Sequence, residues 1–345
     1  MIRKYITLVS IVITTFWLGA CTSKEDKVER YFLRGKEKLE KKEYQEAIRF
    51  ITAAIKEDSL FKEAYLNRGN AFFGYVEFPQ ALTDFTKAIA LDSNYADAYF
   101  NRSNTYFRIK QYEKALADID QVIRIHPDSA YGHATKATVL MQLNQAQEAF
   151  ESLEKAISLD ANYKDAYVNL GVLYFNQKEF ATAKAKFEQA LSIDSTLAEV
   201  WNNLAMIAFV QGDIQQALQQ ADYSLKLDGG NPYAWNNRGY AKLLAGDLAG
   251  AKSDIEKSLF YDKENALAIR NMGVYYLKSG KPQEALTVLQ QAQERDSTTW
   301  GIHYYLGRTH QQLGNQAKAC EEWKLALKHE EDKVIPQIKN LCKVN

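Results

Sequence analysis

Residues 62–95 read KEAYLNRGNAFFGYVEFPQALTDFTKAIALDSNY, and residues 96–129 read ADAYFNRSNTYFRIKQYEKALADIDQVIRIHPDS. Written one beneath the other, they match in register at Tyr65 and Tyr99, Asn67 and Asn101, Gly69 and Ser103, Ala81 and Ala115. The same 34-residue register runs from Val28 to Lys333 without insertion or deletion, in nine units that begin at residues 28, 62, 96, 130, 164, 198, 232, 266 and 300. Position 20 of every unit is alanine: Ala47, Ala81, Ala115, Ala149, Ala183, Ala217, Ala251, Ala285 and Ala319. Position 8 is always small, from Gly35 and Gly69 through Ala137 to Gly307. Two helices approach closely only where neither carries bulk, so each unit is predicted to be an αα-hairpin that crosses at these two positions. Large apolar residues fill the remaining core slots, among them Tyr65, Tyr99 and Trp201 at position 4, and Phe85, Leu153 and Phe187 at position 24.

Period 34 with this pattern resembles the tetratricopeptide repeat family across residues 28–333. The resemblance implies an all-α solenoid, with the first helix of each unit (A) lining a concave face and the second (B) an outer one. The family's proline at position 32 survives only as Pro127, and an aspartate usually precedes that position, as in Asp58, Asp92 and Asp160, where it offers an acceptor to free amides at the start of the next helix. A solenoid exposes its core at its ends. Residues 334–345, with Ile335, Ile338 and Leu341 at helical spacing and Pro336 in the first turn, are expected to form a capping helix.

Outside the repeats the N-terminus reads as an address. Arg3 and Lys4 precede an uncharged apolar run from Tyr5 to Leu18, too short to span a bilayer comfortably. It ends in Leu18, Gly19, Ala20, Cys21, which resembles the bacterial lipobox and implies removal of residues 1–20 and lipidation of Cys21. A plain secretory peptide and a short N-terminal membrane helix are the competing readings. Residues 21–27 would form a tether. Thr22 favours the outer membrane by resemblance, and Lys24, Glu25 and Asp26 are either a surface-export signal or a solvated lead-in to the first helix.

Charge excludes one class of partner. The chain has 43 basic and 43 acidic residues, and without Arg3 and Lys4 the mature balance is 41 to 43, so binding nucleic acid by phosphate neutralisation is not expected. The histidines form no recognisable site. His303 and His310 occupy positions 4 and 11, where other units place core residues, and no metal, cofactor or enzymatic activity is expected. Cys320 and Cys342 remain after lipidation; a disulfide stapling the cap to the last hairpin and two separate buried thiols both fit the spacing.

Three columns of the A helices bear on binding. Position 6 carries Asn67, Asn101, Asn169, Asn203, Asn237 and Asn271, and position 9 adds Asn70 and Asn104. Carboxamides both donate and accept, so such a column suits the backbone of an extended peptide, or else it ties neighbouring repeats together. Position 12 runs Leu39, Phe73, Phe107, Met141, Phe175, Phe209, Leu243 and Leu277: an apolar stripe for a partner if exposed, ordinary packing if not. Position 2 is acidic in five units and position 5 is apolar in the first five, which excludes the lysine clamp that some family members use for a terminal carboxylate. Together these features suggest a lipid-anchored, non-enzymatic scaffold that binds other envelope proteins or peptides at the outer membrane. A glycan- or nutrient-binding surface lipoprotein and a pilotin-like assembly factor are the alternatives.

Overall fold

A computed structural model of the chain describes residues 24–328 and Cys342. Among these residues every regular element is a helix. The chain divides into two compact units, Met1–Asn144 and Gln145–Asn345, and the division falls inside the fourth sequence unit. In the first, α1 (Lys24–Glu40) pairs with α2 (Tyr44–Glu57), α3 (Lys62–Gly74) with α4 (Phe78–Leu91), and α5 (Ala96–Arg108) with α6 (Tyr112–Ile125), on which α7 (Ala130–Gln142) packs. In the second, α8 (Ala146–Leu159) packs on α9 (Lys164–Asn176), which pairs with α10 (Phe180–Ile193). The pairs α11 (Ala198–Val210) and α12 (Ile214–Leu227), α13 (Pro232–Ala245) and α14 (Leu248–Tyr261), α15 (Ala266–Lys278) and α16 (Pro282–Arg295), and α17 (Ile302–Gln312) and α18 (Gln316–Lys328) follow.

The small residues lie where the helices cross. Each of the nine position-20 alanines is at most 2% exposed. Opposite them, the missing side chain of Gly69 leaves room for Phe85: a Cβ there would stand 2.5 Å from the ring. In the last hairpin Gly307 admits the fully buried Trp323 in the same way.

The turn between the two helices of each hairpin has one conformation throughout. Position 15 takes a left-handed φ in all nine units: Lys42, Val76, Lys110, Asn144 and Lys178 at 58° to 66°, then Gly212, Gly246, Gly280 and Gly314 at 72° to 87°. The Val76 amide bonds back to Phe73 O (3.0 Å) and the Glu77 amide to Phe72 O (2.8 Å), so the left-handed residue closes the last carbonyls of the A helix.

Two sequence expectations shift in detail. The position-31 aspartates cap a turn and leave the next helix unassisted: Asp58 accepts from the Leu60 amide and Asp92 from the Asn94 amide, both at 2.9 Å, ahead of α3 and α5. The side chain is too short to reach further, and this Asx turn is the nearest satisfied geometry. The expected tether is also shorter, because α1 begins at Lys24, where Glu25 and Asp26 in the first turn favour the helix dipole. The expected signal peptide, Cys21 and most of the expected cap lie outside the described residues. Cys342 is helical and packs against the buried cluster of Ala319 and Trp323 in the last hairpin.

Candidate functional site

Within each compact unit the A helices of successive repeats touch: α1 with α3 and α3 with α5 in the first, and α9, α11, α13, α15 and α17 in sequence in the second. In each unit the A helices therefore form the tighter layer, and their outward-facing side chains form that unit's candidate surface.

Beneath it runs a repeated ion pair that the sequence reading missed. The Arg68 guanidinium grips Asp84 through Nε (2.7 Å) and Nη2 (2.8 Å) and donates from Nη1 to Thr52 of the preceding hairpin (3.1 Å). Arg102 repeats this on Asp118 and Thr86, and Arg238 on Asp254 and Asp222. Asp84, Asp118 and Asp254 are buried, the last 2% exposed, whereas Asp222 is exposed. These hydrogen bonds, led by the one to Asp118, hold the Arg102 guanidinium above its ordinary pKa. Positions 7 and 23 were the signal: arginine and aspartate separated by 16 residues in three units.

The asparagine column divides by location. Asn70, Asn101, Asn104 and Asn203 are half-buried and make no side-chain hydrogen bond among the described residues. The Asn67 amide donates into its own helix, to Glu63 O at 2.8 Å. Asn169 is half-buried and also engaged. In repeats six to eight the amides bond to each other: Asn237 donates to Asn202 (2.9 Å), Asn236 to Asn237 (3.3 Å), and Asn271 to Asn236 (2.7 Å). Asn271 is fully buried and cannot meet a ligand. Its Oδ1 accepts from Arg270, whose Nη1 donates to Trp300 O at 2.5 Å, carrying the chain into repeat nine. Arg270 is 2% exposed and stacks among Tyr240 (4.8 Å), Trp300 (5.4 Å) and Tyr305 (5.7 Å). The Tyr240 and Tyr305 hydroxyls share a 2.7 Å hydrogen bond. Burial pushes Tyr305 well above the ordinary tyrosine range, so it remains protonated.

The position-12 stripe is packing rather than open surface. Phe73 lies against Phe78 (5.6 Å), Phe107 against Tyr112 (5.4 Å), Phe175 against Phe180 (5.4 Å) and Phe209 against Tyr240 (5.1 Å). The four phenylalanines are half-buried, and Leu243 and Leu277 are buried outright. The reason is local: position 12 ends the A helix beside the first residue of the B helix, which is also aromatic in three of these units.

Cys320 and Cys342 are joined by a disulfide, with Cα atoms 5.6 Å apart. His303 is buried and hydrogen-bonds Glu322 through Nδ1 at 2.8 Å. Burial lowers the pKa of His310. Among the described residues no group of three His, Cys, Asp or Glu side chains is placed to hold a metal ion, and no helix is long and apolar enough to cross a membrane.

Profiles described as TPR repeat or tetratricopeptide repeat match residues 137–178, 85–117, 164–197, and 202–257 with 270–330. Among solved structures, the chain is similar to the APC/C hetero-tetramer Cut9–Hcn1, at 14% identity and TM-score 0.65 over 93% of this chain and 76% of that one. It is similar also to a tetratricopeptide repeat protein from Parabacteroides merdae, at 16% identity and TM-score 0.63 over 72% of this chain and 98% of that one. PilF from Pseudomonas aeruginosa matches at 19% identity and TM-score 0.53, over 61% of this chain and 96% of that one. No curated protein sequence matches the chain. With nine registers in sequence, paired helices in eight of those units, and family profiles across most of residues 85–330, the chain belongs to the tetratricopeptide repeat family.

Proposed function

We propose that this chain is a non-enzymatic scaffold that holds segments of partner proteins along its row of A helices, anchored to a bacterial envelope membrane by lipid on Cys21. The observation that carries the reading is the set of amides on the A helices of the first unit, Asn70, Asn101 and Asn104, which have no partner among the described residues. Half-buried carboxamides lose hydrogen bonds to water, and an extended backbone laid across them restores both donors and acceptors. The Arg–Asp forks beneath fix the helices that present them, so the surface is set before a partner arrives. The lipobox at Leu18–Cys21 supports the anchor, and the short segment between Cys21 and α1 keeps the scaffold close to the bilayer.

The test is a cross-linking pull-down from intact cells with wild type and with an Asn70, Asn101, Asn104 triple alanine variant. Loss of the recovered partners from the variant, with its melting temperature unchanged, supports the surface. Equal recovery overturns it. Cys21→Ser, followed by fractionation, tests the anchor: release from the membrane fraction is expected, and unchanged retention would contradict lipidation.

A further inference from the structure

Resting on the scaffold reading, a second set of residues specifies what one partner segment must carry. Five arginines of the described residues are buried or half-buried: Arg68, Arg102, Arg238, Arg270 and Arg308. The first three each grip an aspartate. Arg270 and Arg308 contact no carboxylate among the described residues. Arg270 bonds to one amide oxygen and one carbonyl and is otherwise walled by aromatic faces. Arg308 donates to the Tyr304 hydroxyl at 3.1 Å and lies 5.9 Å from that ring, while its Nε is buried without an acceptor. The two arginines flank the edge-to-face pair Tyr304 and Tyr305, whose ring centroids are 5.0 Å apart.

The register extends the asymmetry. At positions 2, 5, 6, 9, 12 and 13 of repeats seven to nine, the charged residues are Arg270, Lys278 and Arg308, all positive. The same positions in repeats one, two, three, five and six hold six acidic residues, Glu29, Glu40, Glu63, Asp97, Asp165 and Glu199, against two basic ones, Lys36 and Arg108. A buried cation lacking a counter-ion is costly, and aromatic faces and amide dipoles offset only part of that cost. Its field extends through a low-dielectric surface toward whatever docks there. We infer that the A-helix surface of repeats seven to nine docks an acidic peptide segment of a partner protein, with Arg308 as the contacting cation and Arg270 as fixed charge beneath the tyrosines. Tyr233 and Trp300, both about half exposed, offer flanking apolar contact.

The experiment selects from a displayed library of random twelve-residue peptides on the purified full chain. It then measures affinity of the best peptides and of their Asp→Asn, Glu→Gln counterparts for wild type, Arg308→Gln and Lys155→Gln. Lys155 is exposed on α8, so its variant makes the same net-charge change away from the site. Enrichment in Asp and Glu is expected, with an affinity loss of about tenfold or more in Arg308→Gln and none in Lys155→Gln, and with weakening in high salt. Selected peptides without acidic enrichment would overturn the inference and leave the scaffold reading standing. Equal loss in both variants would reduce the effect to net charge and overturn it too. Failure to select any peptide would count against both. Peptides selected only after Glu330, Glu331 and Asp332 are neutralised would assign the site to the chain's own acidic run, again overturning the inference.

Discussion

Repeats two and three and repeats seven to nine share one register but use it differently. In the first region the A-row amides Asn70, Asn101 and Asn104 have no partner among the described residues, and both arginines below them are matched by aspartates. In the second the amides are consumed in a chain that starts at Asn202 of repeat six and runs to Asn271, where it meets a buried arginine with no carboxylate partner among the described residues. The contrast shows that a repeat position fixes where a side chain stands, while its neighbours fix whether it is available. Asn101 and Asn271 occupy the same slot; only the second has an arginine immediately before it.

The largest expected effect probes what the two regions share. Asp84 holds one arginine, whereas Asp254 holds Arg238 and also Lys242 at 2.8 Å. Removing one partner of a buried ion pair costs about 3–5 kcal/mol, so Asp254→Ala should lie at the upper end and Asp84→Ala at the lower, read by chemical denaturation. Equal losses would show that the second cation adds nothing. Next, the Cys320–Cys342 bridge staples the second region alone. With a sequence separation of 22, its removal in Cys342→Ser should cost about 3 kcal/mol, with faster amide exchange confined to the last hairpin. Exchange that rises equally in repeats two and three would break that assignment.

Smaller effects separate the turns. Val76 is β-branched and left-handed at φ 66°, while Gly246 meets the same requirement at 87° without strain. Val76→Gly should therefore stabilise by about 1 kcal/mol and Gly246→Ala destabilise by a similar amount. The smallest effect is a pH dependence. Burial lowers the pKa of His310, so the unfolded chain binds its proton more readily than the folded one. Stability from this group is present above the unfolded histidine value of about 6.5 and is lost as pH falls below it. Denaturation midpoints at pH 7.5 and 5.5 should show the loss in wild type and not in His310→Gln.

Much of the fold was legible because it depends on volume. An alanine at position 20 and a small residue at position 8 have one geometric meaning, and nine repetitions make it unambiguous. The left-handed turn was hidden because five of nine units place an L-residue there, so glycine, the usual signal, is absent. The Arg–Asp forks were visible as a spacing of 16 but needed the hairpin's geometry to acquire meaning. The candidate surface was least legible. The position-12 phenylalanines read equally as open surface or as packing, because the sequence does not show that position 17 stands against them. Asn271 read either as a peptide contact or as a tie between repeats, because its burial depends on Arg270 and on a carbonyl 30 residues from that arginine.

The central claim is that the A row, and not the B row, holds the partner. A photo-reactive amino acid placed in turn at Asn104 and Asn203 of the A helices, and at the exposed Glu154 and Glu188 of α8 and α10, tests it in intact cells. Covalent capture of a partner polypeptide from the first two sites and not from the last two is predicted. Capture from Glu154 or Glu188 alone would contradict it.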